Sequence, residues 1–310
     1  MNKGMLAQQG AGYKIILTMA ISITVGYMAV LVGQSVAGAI WHFDLVDPQA
    51  EYDLSDPDYA MARRVVMLFT HLGMFVASAF IGAWLFTRGS VQTELGLRPK
   101  PRVMHLLLVP VLMAAVFPVV NYLYALNLQW NAPDTVMDLE EQGMAMTDSF
   151  LDTGSVGMLL LNLLVLAAVP AMGEELIFRG LVQRYAIRWL RNPHAGIWVS
   201  AFLFSFMHFQ FLGFMPRLAL GAFFGYLAWW TGSLWAGMML HFLNNALAVV
   251  LAFMIRNYHV PAWVDDAGSD SPAMAAAGLV VTALISWLLW RSRKPSATGP
   301  ESGAVRSHGQ

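Results

Sequence analysis

The sequence predicts an all-α, polytopic membrane protein of about eight transmembrane helices, and composition, hydropathy and the spacing of apolar runs predict it. Of 310 residues, 57% are hydrophobic and 12% are Asp, Glu, Lys or Arg, where an ordinary soluble chain carries about 25% charged residues. Mean hydropathy is +0.56. In water, so few charges could not cover so much apolar surface. Apolar runs able to supply the roughly 20 residues of a bilayer crossing recur along the chain. Disorder, charge-driven nucleic-acid binding and a conventional water-soluble enzyme are excluded, and the net charge of −1 expresses no preference for a charged partner. With no cysteine in the chain, disulfides, thiolate metal sites and cysteine nucleophiles are excluded too.

The spans fall at 15–41, 65–87, 103–124, 156–178, 195–212, 217–231, 234–255 and 273–290. The first follows Lys3 and Lys14 and precedes the weak cleavage-like pair Ala37 and Ala39. Its apolar stretch exceeds the 7–15 residues of a signal h-region, so it reads as a retained helix. The sixth is short, and charge supports it. With the N-terminus inside, fourteen Lys and Arg fall on cytoplasmic segments, and only Arg63, Arg64, Arg217 and Arg256 fall outside. Omitting the sixth span would put the last tail on the wrong side. Both termini are thus expected in the cytoplasm, with the bilayer as partner.

The external loops 42–64 and 125–155 each carry six acids and read as solvated. Asp53, Asp56 and Asp58 lack the glycine and terminal Glu of an EF-hand. The tail from 292 to 310 reads as a disordered end. The organisation expected is N-terminal helices and acidic loops over 1–154, a core over 155–255, a last loop and helix over 256–291, and the tail.

Fifteen of the nineteen acids lie in external loops and Glu94 and Glu301 in cytoplasmic segments, which leaves Glu174 and Glu175 in the fourth helix. An acid inside a membrane helix marks function by default. Neighbours on a helix point about 100° apart, so the two cannot serve one site alike. Glu175 precedes Arg179 by four residues, the favourable order for an ion pair. Glu174 shares its face with Phe178 and has no local cation, which suits a general base or acid. Two helices offer partners, Phe204 with His208 on the fifth and His241 with Asn245 on the seventh, each pair spaced i,i+4. His71 and His105 have no such company and read as packing residues, while His42, His194, His259 and His308 read as solvated. Asn121 and Asn162 are weaker polar candidates, Asn244 points away from the His241 face, and Gly221 with Gly225 reads as a helix-packing pair.

These residues carry a resemblance. Glu174-Glu175-Leu-Ile-Phe178-Arg179 resembles the EExxxR motif of the CAAX-protease and bacteriocin-processing (CPBP, or Abi) family of intramembrane endopeptidases. Phe204-Ser-Phe-Met-His208 is similar to its FxxxH motif, and His241-Phe-Leu-Asn-Asn245 to its HxxxN motif. The resemblance covers about 155–255. It implies a helical bundle with a hydrophilic intramembrane cavity and hydrolysis of peptide bonds in membrane-associated proteins or peptides. Glu174 with His208 would activate a water, His241 with Asn245 would hold the oxyanion, and Glu175, Arg179 and Phe204 would support them. It also implies a bacterial plasma membrane. Glu174, His208 and His241 would suit zinc, but the spacing is not HExxH, and a metal-free glutamate mechanism without cofactor is the expectation.

One count is discordant. At about 1.5 Å per helical residue, Glu174 and His241 lie about 8–11 Å from the inner face and His208 nearer 18–20 Å. The alternatives are a catalytically silent scaffold of the same fold, and a proton-coupled transporter using Glu174 as relay, for which no repeat is visible.

Overall fold

The computed structural model describes residues 2–291 except 48–51, 99, 101 and 131; the tail expected at 292–310 lies outside the described residues. The elements are α1 (Ala11–Trp41), α2 (Pro57–Phe86), a single turn α3 (Val91–Glu94), α4 (Val103–Asn127), α5 (Asp134–Leu151), α6 (Val156–Leu190), α7 (Pro193–Phe206), α8 (Phe214–Thr231), α9 (Leu234–Tyr258) and α10 (Pro272–Arg291). Among the described residues there is no strand.

A helix stands at each of the eight expected spans, and six of them, α1, α2, α4, α6, α9 and α10, are long and apolar enough to cross a membrane. The other two differ in length. α7 has 14 residues and α8 has 18, about 21 and 27 Å against a hydrocarbon core of about 30 Å.

α6 is the axis of the bundle, packed by α1 and α2 on one side and by α7, α8 and α9 on others; α4 and α10 close the far side against α8 and α9. One core gathers Ile177, Phe178, Leu181 and Tyr185 of α6 with Ala79 and Ala83 of α2 and Phe204 of α7. A second gathers Leu112 of α4, Phe224 and Leu227 of α8, Leu240 of α9 and Leu289 of α10. Lipid offers no hydrophobic drive between helices, so close approach through small residues and buried polar bonds must hold them. Gly73 of α2 illustrates the first, since a Cβ there would come within 2.3 Å of Ala29 Cβ on α1. Asn162 illustrates the second. Its Oδ1 accepts from Arg64 Nε at 2.9 Å and its Nδ2 donates to Phe150 O at 2.6 Å, which pins α2, α5 and α6 at one end.

Helix ends follow local chemistry. Asp56 caps α2 by accepting from Asp58 N, with Pro57 at the first helical position. Asn192 and Pro193 do the same for α7. Gly232, at φ +66°, makes the tight turn from α8 to α9. Asp53 accepts from the hydroxyl and amide of Ser55, which hold its carboxyl below the usual range, an ordinary exposed turn.

Two expectations are corrected. The segment 125–155 is not a loop: it contains α5, which lies on the bundle through Val136, Glu140, Gly143 and Phe150. The fourth span does not end at 178, because α6 continues to Leu190 with Arg179 buried inside the bundle.

That extension removes the depth discrepancy. Glu174 is about 24 Å before Leu190, and His208 about 22 Å beyond Pro193, so the two arms of the α6–α7 hairpin reach the same level.

Candidate active site

Glu174 and Glu175 occupy the last α-helical turn of α6 before a π-helical stretch, Leu176–Val182. A second π-helical stretch, Leu163–Ala168, precedes Pro170. Proline has no N–H to donate, and a widened turn re-satisfies the carbonyls it leaves. Such turns recur at functional sites, and here they bracket the two acids.

Glu175 is the structural half of the pair. Its side chain is fully buried, and Oε1 meets Arg179 Nη1 at 2.8 Å and His241 Nδ1 at 3.2 Å. Gly237 of α9 leaves room for it, since a Cβ there would stand 3.1 Å from Glu175 Oε2. Arg179 is equally enclosed. It donates from Nη2 to Gly221 O at 2.8 Å, and its guanidinium lies 4.5 Å from the Phe204 ring centroid and 5.4 Å from that of Phe224. One turn on, Gln183 Nε2 donates to Gly225 O at 3.0 Å. The glycine pair of α8 is therefore a docking edge for two polar side chains of α6.

Glu174 is also buried, and its Oε2 has no hydrogen-bond partner. Around that oxygen stand His241 Nε2 at 3.7 Å and His208 Nε2 at 3.9 Å. Each exceeds a direct hydrogen bond; catalytic contacts are often long before substrate enters. Neighbouring bonds fix both rings. His208 Nδ1 lies 2.7 Å from Phe204 O; a carbonyl only accepts, so Nδ1 carries the proton and Nε2 faces Glu174. His241 Nδ1 must likewise donate to the Glu175 carboxylate, and its ring stacks on Phe224 at 4.8 Å. Phe204 meets His208, His241 and Phe178 edge-on, so it forms one wall of the cluster.

The structure thus brings together Glu174, His208 and His241, with Glu175, Arg179 and Phe204 behind them. It does not bring Asn245 into contact with Glu174. Asn245 is half-buried one turn from His241, and its Oδ1 accepts from Asn244 Nδ2 at 3.2 Å. Asn162 and Asn121 are structural: Asn121 donates to Asp265 O and Ala267 O and so ties down the segment before α10.

His71 is the residue the sequence reading missed. It is not a packing residue, for its Nε2 stands 3.8 Å from Glu174 Oε1. It could have been found as an ionisable side chain within a membrane helix; it was set aside because no polar residue flanks it one turn away. Glu140 was missed for the opposite reason, being counted among solvated acids. Its carboxylate is buried and accepts from Leu212 N at 2.8 Å, and so anchors the segment 207–213 that carries His208.

The bond of His241 Nδ1 to Glu175 leaves its Nε2 open, as a metal-binding imidazole would have it. Among the described residues no group of three His, Asp or Glu side chains stands close enough to hold a metal ion. An apolar cavity of about 490 Å³ adjoins the His208 segment, lined by Trp130, Phe202, Phe206, Phe211, Phe214 and Met215 among others. Glu174, His208 and His241 are not among the residues lining it.

Two comparisons with known proteins give a match. Residues 156–247 match the family model described as type II CAAX prenyl endopeptidase Rce1-like. The uncharacterized protein YpbD of Bacillus subtilis (strain 168) is 31% identical over 103 residues, 32% of this chain and 48% of that protein. The chain therefore spans about half the length of that curated relative. No solved structure matches. The segment 156–247, on which Glu174, His208, His241 and Asn245 all stand, is thus similar to the Rce1-like type II CAAX prenyl endopeptidases, over less than half of the chain.

Proposed function

We propose that the chain is an intramembrane endopeptidase that hydrolyses peptide bonds of membrane-associated proteins or peptides through a water activated by Glu174. The observation that carries the proposal is the buried Glu174 Oε2, without a hydrogen-bond partner and faced by two imidazole Nε2 atoms. A carboxylate with an open lone pair in a desolvated site accepts a proton from water readily. In this reading His208 positions the water beside Oε2. His241, backed by Glu175, faces the carbonyl oxygen as negative charge develops, and Asn245 joins it from the next turn. A neutral imidazole with Nδ1–H bound has no proton on Nε2, so His241 serves as donor only in its doubly protonated form. Glu175 and Arg179 hold the ring and the helix contacts. No metal or other cofactor enters this reading.

The catalytic core is assigned to 155–255, flanked by helices over 1–154 and 256–291. A bacterial plasma membrane, which the family resemblance implies, is the membrane proposed, with both termini in the cytoplasm, as the excess of Lys and Arg on that side supports.

The test compares membrane proteomes of cells carrying the wild-type chain and Glu174→Gln, which removes the carboxylate and nearly keeps its shape. Specific peptide termini are expected to vanish in the variant while longer precursors accumulate. A knockout phenotype that Glu174→Gln restores, with no terminus changed, would sink the endopeptidase reading and favour a scaffold.

A further inference from the structure

We propose that His71 of α2 is a positioning residue for Glu174, holding Oε1 so that Oε2 alone is presented to the reacting water; this rests on the endopeptidase reading above. The contacts divide by oxygen. His71 Nε2 faces Oε1 at 3.8 Å, whereas His208 and His241 face Oε2. The terminal torsion of a glutamate is broad and nearly two-fold, so without a partner on one side the two oxygens exchange roles.

His71 is built like His208. Its Nδ1 lies 3.0 Å from the carbonyl of Met67, four residues back, as His208 Nδ1 lies 2.7 Å from Phe204 O. In each case Nδ1 carries the proton and Nε2 is aimed at Glu174. One proton held between Nε2 and Oε1 then makes the contact, which side-chain rotation shortens once substrate is seated.

Backbone packing sets the separation of the two residues. His71 immediately precedes a π-helical stretch, Leu72–Ala77. A Cβ on Gly173, next to Glu174, would come within 2.8 Å of Phe75 Cβ, and one on Gly73 within 2.3 Å of Ala29 Cβ. These glycines let α1, α2 and α6 approach closely beside His71 and Glu174, so the geometry is held by main chain. His71 also lies outside the segment 156–247 that matches the family model, so α2 adds to the site a group which that segment lacks.

The test measures by pulse labelling how fast the Glu174-dependent termini of the membrane proteome appear. Cells express the full chain at matched levels as wild type, Glu174→Gln, His71→Leu and His71→Gln. Leu fills the space without a polar atom, whereas Gln offers an amide donor to Oε1. Misplacing a reacting group by about 1 Å can cost about a hundredfold, so His71→Leu is expected to slow the termini by about ten- to a hundredfold. His71→Gln is expected to recover most of the rate, with the thermal midpoints of both purified variants near wild type. Rates unchanged in His71→Leu, or rates that fall equally in both variants along with thermal stability, overturn the inference and leave the endopeptidase reading intact. If no terminus depends on Glu174, that reading falls and the inference falls with it.

Discussion

A carboxylate without contact to water that meets two cationic or hydrogen-bonding partners at one oxygen is a costly thing to bury, and Glu175 is such a group. Breaking a buried ion pair by removing one partner leaves the other charge uncompensated, at about 3–5 kcal/mol. Glu175→Gln should therefore lower the thermal midpoint of the purified chain strongly. Adding Arg179→Met should restore part of that stability without restoring any activity, because the double variant has no buried charge left to strand. A single variant as stable as wild type would show that the pair is not structural. The Glu175–Arg179 pair was legible in the sequence because it rests on helical spacing alone: Arg179 is four residues from Glu175 and cannot share a face with both acids. His71 was not legible in that way. Its only link to the site runs across two helices, and nothing within a turn of it along the chain is polar enough to signal the contact.

At the scale of elements, α5 shows how a functional residue can hide a helix. Its inward stripe reads Val136, Glu140, Gly143 and Phe150, and a glutamate in the middle of an apolar stripe spoils the amphipathic pattern. The same glutamate explains why the helix is there. Glu140 replaces water as acceptor for the buried Leu212 N–H, while Arg217 reaches Gln210 Oε1 at 3.0 Å and Gln210 O within the same segment. Stranding a buried backbone N–H costs about 1–3 kcal/mol. Glu140→Leu should thus speed amide hydrogen exchange across 207–213 and slow the Glu174-dependent termini through His208. Glu140→Gln, which keeps an acceptor oxygen, should change both far less. Equal exchange in the wild type and the Leu variant would refute this anchoring role. The length of α6 was misread for a related reason: a charged residue ends a hydropathic run, but Arg179 is neutralised inside the bundle and the helix runs on.

At the scale of the whole molecule, the number of crossings bears on sidedness less than it first seems. Eight crossings, or the six given by helices long enough alone, are both even and put the two ends of the bundle on one side. Either count also leaves 88–102 on the side of the N-terminus and both α5 and the segment 259–271 opposite. The proposal above puts the first side in the cytoplasm, on the excess of Lys and Arg there. Because the chain has no cysteine, each placement can be read with one introduced thiol. Gly89→Cys, Asp134→Cys and Asp270→Cys all fall at exposed positions. A membrane-impermeant maleimide should label the latter two on intact cells and Gly89→Cys only after permeabilisation. The reverse pattern would invert the chain and bring α5 and the His208 segment to the cytoplasmic end. The labelling result thus decides which end of the bundle, that of α5 or that of 88–102, meets the cytoplasm.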